Sequence, residues 1–230
     1  MSTRRNEPVV SVPSGRVSLE GLLEVPASAA GIVVFSHGSG SGRHSPRNQY
    51  VARHLHSAGL ATLLLDLLTE QEDRDYQTRF DIDLLTERLG DAVRFVRNHA
   101  TTRSLPVGLF GASTGAASAL RVAAARTGDV RAVVSRGGRP DLTGEQLLPR
   151  VQAATLLIVG GEDYGVIELN EAAHRLLRCE KELAIVPGAT HLFEEPGTLD
   201  EVARLATDWF IRHLVEESAA PARGSDTKRA

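Results

Sequence analysis

The sequence has a single cysteine, Cys179, in 230 residues, so no internal disulfide can brace the fold. It has no window approaching about 18 uninterrupted apolar residues. Its opening stretch, MSTRRNEPVV, carries charge without the apolar centre of a secretion signal. Neither a membrane span nor a leader is expected, and the cytoplasm is the expected location. There is no basic excess either: a formal net charge of -3 lacks the electrostatic footprint of a nucleic-acid binder. What remains, 42% hydrophobic and 24% charged residues, is the composition of an ordinary globular protein. No repeat and no shift in composition marks a second domain. One domain over residues 9–215 is therefore expected, between ends (1–8 and 216–230) whose polar, small-residue-rich composition predicts disorder.

Short runs rich in Val, Ile and Leu recur along the chain: GIVVFSHG, ATLLLD, PVGLFGAS, VRAVVSR, TLLIVGG and ELAIVPG. Each reads as a strand buried on both faces. Between them, apolar residues return every three or four positions over Pro46 to Ala58, Arg79 to Asn98, Gly115 to Arg126, Ile167 to Leu177 and Leu199 to Leu214. Such alternation predicts an α/β fold, a mostly parallel sheet with helices on both faces. Ahead of it, VVSVPSGRVSLEGLLEVP alternates around a Pro-Ser-Gly turn and reads as an antiparallel hairpin at one sheet edge, giving about eight strands in all.

The stretch GASTG, residues 111–115, falls where one of these strands becomes a helix. A serine hydroxyl is a weak nucleophile; an enzyme that uses one must expose it, set a base beside it and stabilise the oxyanion it creates. A sharp strand-to-helix turn with near side-chain-free neighbours, here Gly111 and Gly115, meets those needs. The free N–H groups of the following helix point toward the developing charge. A small-residue turn that merely lets the helix pack closely is the plainer alternative. The partners decide between them. An acid and a base should follow in later loops at the carboxyl end of the sheet, in the order Ser, Asp, His. Asp163 follows TLLIVGGE, and His191 follows ELAIVPGAT. Alone, the first would read as a helix N-cap and the second as an exposed loop histidine. Together they assign Ser113 as nucleophile, His191 as general base and then acid, and Asp163 as the group that fixes the imidazole tautomer. Glu162, Glu194 and Glu195 are the weaker candidates for the acid.

An oxyanion hole needs two backbone donors. Thr114 N–H is one; the other belongs to the loop SHGSGSGRHSP, with Ser39 the choice and Gly40 the second. That loop lacks the glycine spacing of either phosphate-cradling signature, so a nucleotide site is disfavoured. His37, ahead of the serine in chain order, reads as a structural histidine that shapes the loop.

With SHGSGS, GASTG, GGED and GATH in that order, the chain resembles the α/β-hydrolase superfamily, most closely its small dienelactone-hydrolase-like branch, from about residue 9 to 215. The resemblance implies an α/β-hydrolase fold and hydrolysis of small esters, thioesters or lactones without cofactor or metal. Dienelactone hydrolases proper carry a cysteine nucleophile where this chain has Ser113, a departure that bears on lactone specificity. Fewer than about twenty residues separate VVSRGG from TLLIVGG, too few for a cap domain. The site should be open, suited to a small soluble substrate. Arg43, Arg47 and Arg136 lie in loops that open at the same end of the sheet, where guanidinium groups could hold an anionic group of the substrate; pairing with Asp141, Glu162 or Asp66 is the competing role. An acyltransferase with the same residues, or a ligand-binding protein without turnover, are the alternative functions. Monomer and homodimer both remain open.

Overall fold

The computed structural model describes residues 9–216. Eight strands form one sheet: β1 (Val9–Ser14), β2 (Val17–Glu24), β3 (Ile32–Ser36), β4 (Ala61–Leu65), β5 (Val107–Ala112), β6 (Val130–Arg136), β7 (Ala154–Gly160) and β8 (Lys181–Val186). Their order is β1-β2-β4-β3-β5-β6-β7-β8; β1 and β2 pair antiparallel, β2 meets β4 antiparallel, and every other pairing is parallel. The hairpin thus forms one edge of the sheet.

Five helices cover both faces: α1 (Pro46–Ser57), α2 (Ile82–Asn98), α3 (Thr114–Ala125), α4 (Tyr164–Leu176) and α5 (Thr198–Phe210), the last continuing as a π-helical turn over Ile211–Glu216. Alternation along the strands divides the core. Val34, Leu109, Val133 and Leu157 pack beneath α2, α3 and α4, while Phe35, Phe110, Val134 and Ile158 pack beneath α1 and α5. Trp209 and Phe210 are buried in this second layer, and the Trp209 indole N–H donates to the Ala154 carbonyl at 3.2 Å. The second helix starts at Ile82, not at Arg79, because Thr78–Phe80 forms a 3-10 turn and Asp81 accepts the Leu84 N–H at 3.0 Å as its cap. The fourth begins at Tyr164, three residues before the expected Ile167. The ends expected to be disordered, 1–8 and 216–230, lie outside the described residues except for Glu216, which closes the π-helical turn.

This topology places the site. From β3 the chain moves outward to β4 on one side, and from β5 it moves to β6 on the other, so strand order reverses between β3 and β5. Loops leaving the carboxyl ends of those two strands diverge to opposite faces and leave a crevice between them. Residues 137–153, joining β6 to β7, hold only two short 3-10 turns and build no cap over it. Among the described residues, no helix is long and apolar enough to cross a membrane.

Candidate active site

Ser113 stands where β5 gives way to α3, with φ 52° and ψ -121°, a backbone that a residue with a side chain adopts only under constraint. Its N–H donates to the Arg136 carbonyl at 3.2 Å, and its carbonyl accepts from the N–H groups of Ala116 and Arg139, both at 3.1 Å. A Cβ on Gly111 would stand 2.5 Å from Ala116 Cα, so the turn closes only around a glycine. The Ser113 side chain is half-buried and abuts Gly38, the first residue of the loop after His37.

Asp163 occupies the N-cap position of α4, yet its carboxylate makes no capping hydrogen bond. It instead accepts the His191 Nδ1–H at 2.7 Å. The Asp163 side chain is 16% exposed and that of His191 39%, so the carboxylate lies beneath a partly open imidazole. With Nδ1 protonated by this partnership, Nε2 is the nitrogen left with a lone pair. The ring packs against Gly137, where an added Cβ would be 3.5 Å from Cε1 and Nδ1. Because Gly137 directly follows the residue whose carbonyl holds the Ser113 N–H, serine and imidazole flank one short stretch of chain. Among the described residues no hydrogen bond joins the Ser113 hydroxyl to the imidazole. The three other acids point elsewhere: Glu162 accepts from Tyr164 at 2.5 Å, Glu194 from Arg47 at 3.0 Å, and Glu195 from the Thr190 hydroxyl at 2.6 Å.

Beside the nucleophile, the Ser39 N–H donates to Thr114 Oγ1 at 3.1 Å, which ties the loop after β3 to the first residue of α3. Gly40 follows with φ 68°. His37 is buried; its Nδ1–H donates to the Gly38 carbonyl and its Nε2 accepts the Leu67 N–H, both at 2.9 Å. Burial pushes its pKa below the ordinary imidazole value. Both ring nitrogens are used in holding loops, the structural role expected of it.

The arginines separate. Arg43 pairs with Asp66 and with Glu20 from the hairpin, and its main-chain N–H also donates to Asp66 at 2.7 Å. That pairing is the competing role, and it removes Arg43 from the groups free to meet a ligand. Arg139 forks onto Asp141 at 2.8 and 2.7 Å. Arg47 meets Glu194 at the rim. Arg136 is 6% exposed and, among the described residues, has no ion pair and no side-chain hydrogen bond. Its Cζ lies 5.7 Å from the ring centroid of Phe193. Burial, and secondarily the charge of Arg47, pushes its pKa down to about 10. Sequence reasoning missed two contributors, Phe193 and the Thr114 hydroxyl. Phe193 has φ 55° and is fully buried two residues beyond His191; an aromatic so near an exposed loop histidine was the available signal.

A family described as serine aminopeptidase, S33, matches residues 27–138. Two proteins from Mycobacterium tuberculosis, strains CDC 1551 and H37Rv, are 58% identical over 205 residues, 89% of this chain. They are provisionally named phosphoribosyl transferases, and the chain spans 46% of their length. The crystal structure of a dienelactone hydrolase from Anabaena variabilis is 55% identical, with a TM-score of 0.88 over 91% of this chain and 98% of that one. Est1E from Butyrivibrio proteoclasticus, 14% identical over 89% of this chain and 98% of its own, shares the fold with a TM-score of 0.76. Identity of 55% along nearly the whole of a solved dienelactone hydrolase, on this sheet order, shows the family: the chain belongs to the α/β-hydrolases, in their dienelactone-hydrolase-like branch.

Proposed function

We propose that the protein is a serine hydrolase that cleaves small carboxylic esters, thioesters or lactones through an acyl-enzyme on Ser113, without cofactor or metal. The observation that carries this reading is the Asp163 carboxylate, which sits at a helix N-cap and gives up capping to accept the His191 Nδ1–H. An N-cap carboxylate normally bonds the first turn of its helix. Using it on an imidazole instead serves to orient a base.

In the proposed cycle, Ser113 Oγ attacks the substrate carbonyl carbon and His191 Nε2 takes the hydroxyl proton. The negative charge moves to the carbonyl oxygen, where the N–H groups of Thr114 and Ser39 receive it, the Ser39 N–H being shared between the oxyanion and the Thr114 hydroxyl that holds its loop in place. The tetrahedral adduct collapses, the bond to the leaving group breaks, and His191 returns the proton to it. Water then repeats the sequence on the acyl-enzyme and releases the acid. Asp163 stabilises the imidazolium at each protonated stage. The open crevice supports small substrates.

The phosphoribosyl transferase name belongs to proteins of which this chain spans 46%. A diphosphate cradle draws no support from the loop after β3: a Cβ on Gly42 would stand 2.5 Å from Asp66 Oδ1, so that loop already backs onto a carboxylate.

Labelling with a fluorophosphonate probe, followed by peptide mapping, tests the proposal. The expected result is modification at Ser113, abolished in Ser113→Ala and slowed by orders of magnitude in His191→Ala. An unlabelled wild-type protein, or equal labelling of Ser113→Ala, removes the reading.

A further inference from the structure

Of the thirteen residues of α4 only Asn170 and Ala173 are buried, and Asn170 is 0% exposed. An apolar side chain would fill that place without a desolvation cost, whereas a buried amide must be hydrogen-bonded to be tolerated. Asn170 satisfies only one end of its amide. Its Nδ2 donates to the Val166 carbonyl one turn back at 2.8 Å and to the Gly138 carbonyl, 32 residues away in the chain, at 3.0 Å. Both partners are carbonyls, which fixes which way the amide points. Its Oδ1 is sealed from solvent and, among the described residues, accepts no hydrogen bond. A buried acceptor left without a donor is destabilising, and a leucine here would avoid it. Stability alone therefore does not account for the asparagine.

The long-range bond lands on the turn over 136–139. At one end of that turn the Arg136 carbonyl accepts the Ser113 N–H, and at the other the Arg139 N–H donates to the Ser113 carbonyl, so the turn holds the main chain of the nucleophile from both sides. Between them Gly137, at φ 51°, packs against the His191 ring. Gly138 is wedged: a Cβ there would overlap the Ser135 hydroxyl and stand 2.6 Å from Ala116 Cβ of α3. Among the described residues, Asn170 is the one side chain that hydrogen-bonds the main chain of this turn. It lies seven residues past Asp163, two turns along α4 and so on the same face. The helix that begins at the proposed acid thus reaches, through that face, the turn between the nucleophile and the imidazole.

We infer that Asn170 is a positioning residue: by pinning the Gly138 carbonyl to α4, it sets the turn that brings Ser113 and His191 into register with each other and with Asp163. This rests on reading Ser113 as the nucleophile. Asn170 touches no reacting atom. It acts through the turn, whose two ends fix the Ser113 main chain and whose middle supports the imidazole. A small misplacement of the reacting groups slows the chemical step while leaving the open crevice, and hence substrate binding, as it was. The effect therefore belongs to kcat and not to KM.

The test measures kcat and KM for ethyl butyrate in the full chain and in Asn170→Leu, Asn170→Ser and Ala173→Gly, with urea midpoints alongside. Asn170→Leu keeps the bulk and drops both bonds. Asn170→Ser keeps a hydroxyl that can bond the Val166 carbonyl one turn back but is too short to reach Gly138, so it isolates the long-range contact and decides the matter should the leucine variant not fold. Ala173→Gly loosens the same buried face of α4 and leaves the Asn170 bond in place. In both Asn170 variants kcat should fall about 10- to 100-fold with KM within about twofold, and fluorophosphonate labelling of Ser113 should slow in proportion. Ala173→Gly should keep the wild-type kcat. Hydrogen exchange at the Ser113 and Arg139 amides, both bonded within this turn, reads the pinning without turnover and should quicken about 10-fold or more in Asn170→Ser. Wild-type kcat in a folded Asn170 variant, a loss confined to KM, an equal fall of kcat in Ala173→Gly, or unchanged exchange overturns the positioning role. If exchange quickens in Asn170→Ser while the wild type turns over no ester and does not label at Ser113, the pinning of the turn stands and the hydrolase reading falls.

Discussion

Gly115 in α3 and His37, the residue directly after β3, approach so closely that a Cβ on the glycine would stand 2.6 Å from the His37 carbonyl oxygen. The glycine two residues past the nucleophile therefore lets the helix bearing Ser113 press against the strand that leads into the oxyanion loop. No rotamer relieves a clash with backbone. Gly115→Ala is expected to destabilise the fold by about 3 kcal/mol or more. Gly128, whose added Cβ would meet nothing within 4 Å, is the control; there the same change should be close to neutral. Urea denaturation of both variants checks the contrast.

Ser113 carries backbone strain that its side chain aggravates. At φ 52° a Cβ costs about 1–3 kcal/mol, which a glycine avoids. Ser113→Gly and Ser113→Ala should both be inactive, yet the glycine variant should be the more stable by about 1 kcal/mol or more. This reverses the usual order, in which glycine loses to alanine through the entropy of the unfolded chain. Equal stability of the two variants would mean that the turn relaxes around any residue.

The alternation of buried runs with helical spacing carries the sheet, the hairpin and the five helices in the sequence, because each signal is local: a period of two or of 3.6. Helix starts are less legible. Asp81 and Asp163 are both cap-type residues one position ahead of a helix, but only Asp81 caps. What diverts Asp163 is His191, which the fold delivers from 28 residues further on. Chain order could pair these two because the topology of such sheets restricts where loops emerge. It could not sort the arginines. Arg43 and Arg136 both lie at the carboxyl end of the sheet, and what distinguishes them is that Glu20 and Asp66 reach the first while, among the described residues, no carboxylate reaches the second. Such pairing depends on long-range register and leaves no pattern along the chain.

The bond from Ser39 N–H to Thr114 Oγ1 gives the Thr114 side chain a part in the site besides that of its N–H. Thr114→Val keeps the shape and removes the acceptor, so the loop that presents Ser39 loses its tie to α3. Deleting an oxyanion donor costs about 100- to 1,000-fold in kcat. Loosening one should cost less, about 10-fold, and should fall on kcat more than on KM. Thr114→Ser, which restores the acceptor, should recover most of the loss. Steady-state kinetics on a neutral ester separate the variants, and a Thr114→Val enzyme with wild-type kcat would show that the tie has no catalytic consequence.

His37 makes the fold sensitive to acid. Burial holds its folded pKa below the ordinary 6.5, and the Leu67 N–H donates to the Nε2 that a proton would occupy. In the unfolded chain the same imidazole titrates at its ordinary value. As pH falls through 6.5, the unfolded state takes up a proton that the folded state refuses, so stability declines and continues to decline until the folded pKa is reached. The slope this one group adds approaches about 1.4 kcal/mol per pH unit. His37→Gln removes the titration and should be less stable at neutral pH, because the bonds to Gly38 and Leu67 are lost or lengthened. Its stability should nevertheless fall less steeply with acid, so the gap to the wild type narrows as pH drops. Urea midpoints for both proteins at a series of pH values between neutrality and mild acid measure this directly. Parallel curves would mean that the folded protein protonates His37 as readily as the unfolded chain does, and that the loop before Ser39 gives way without cost.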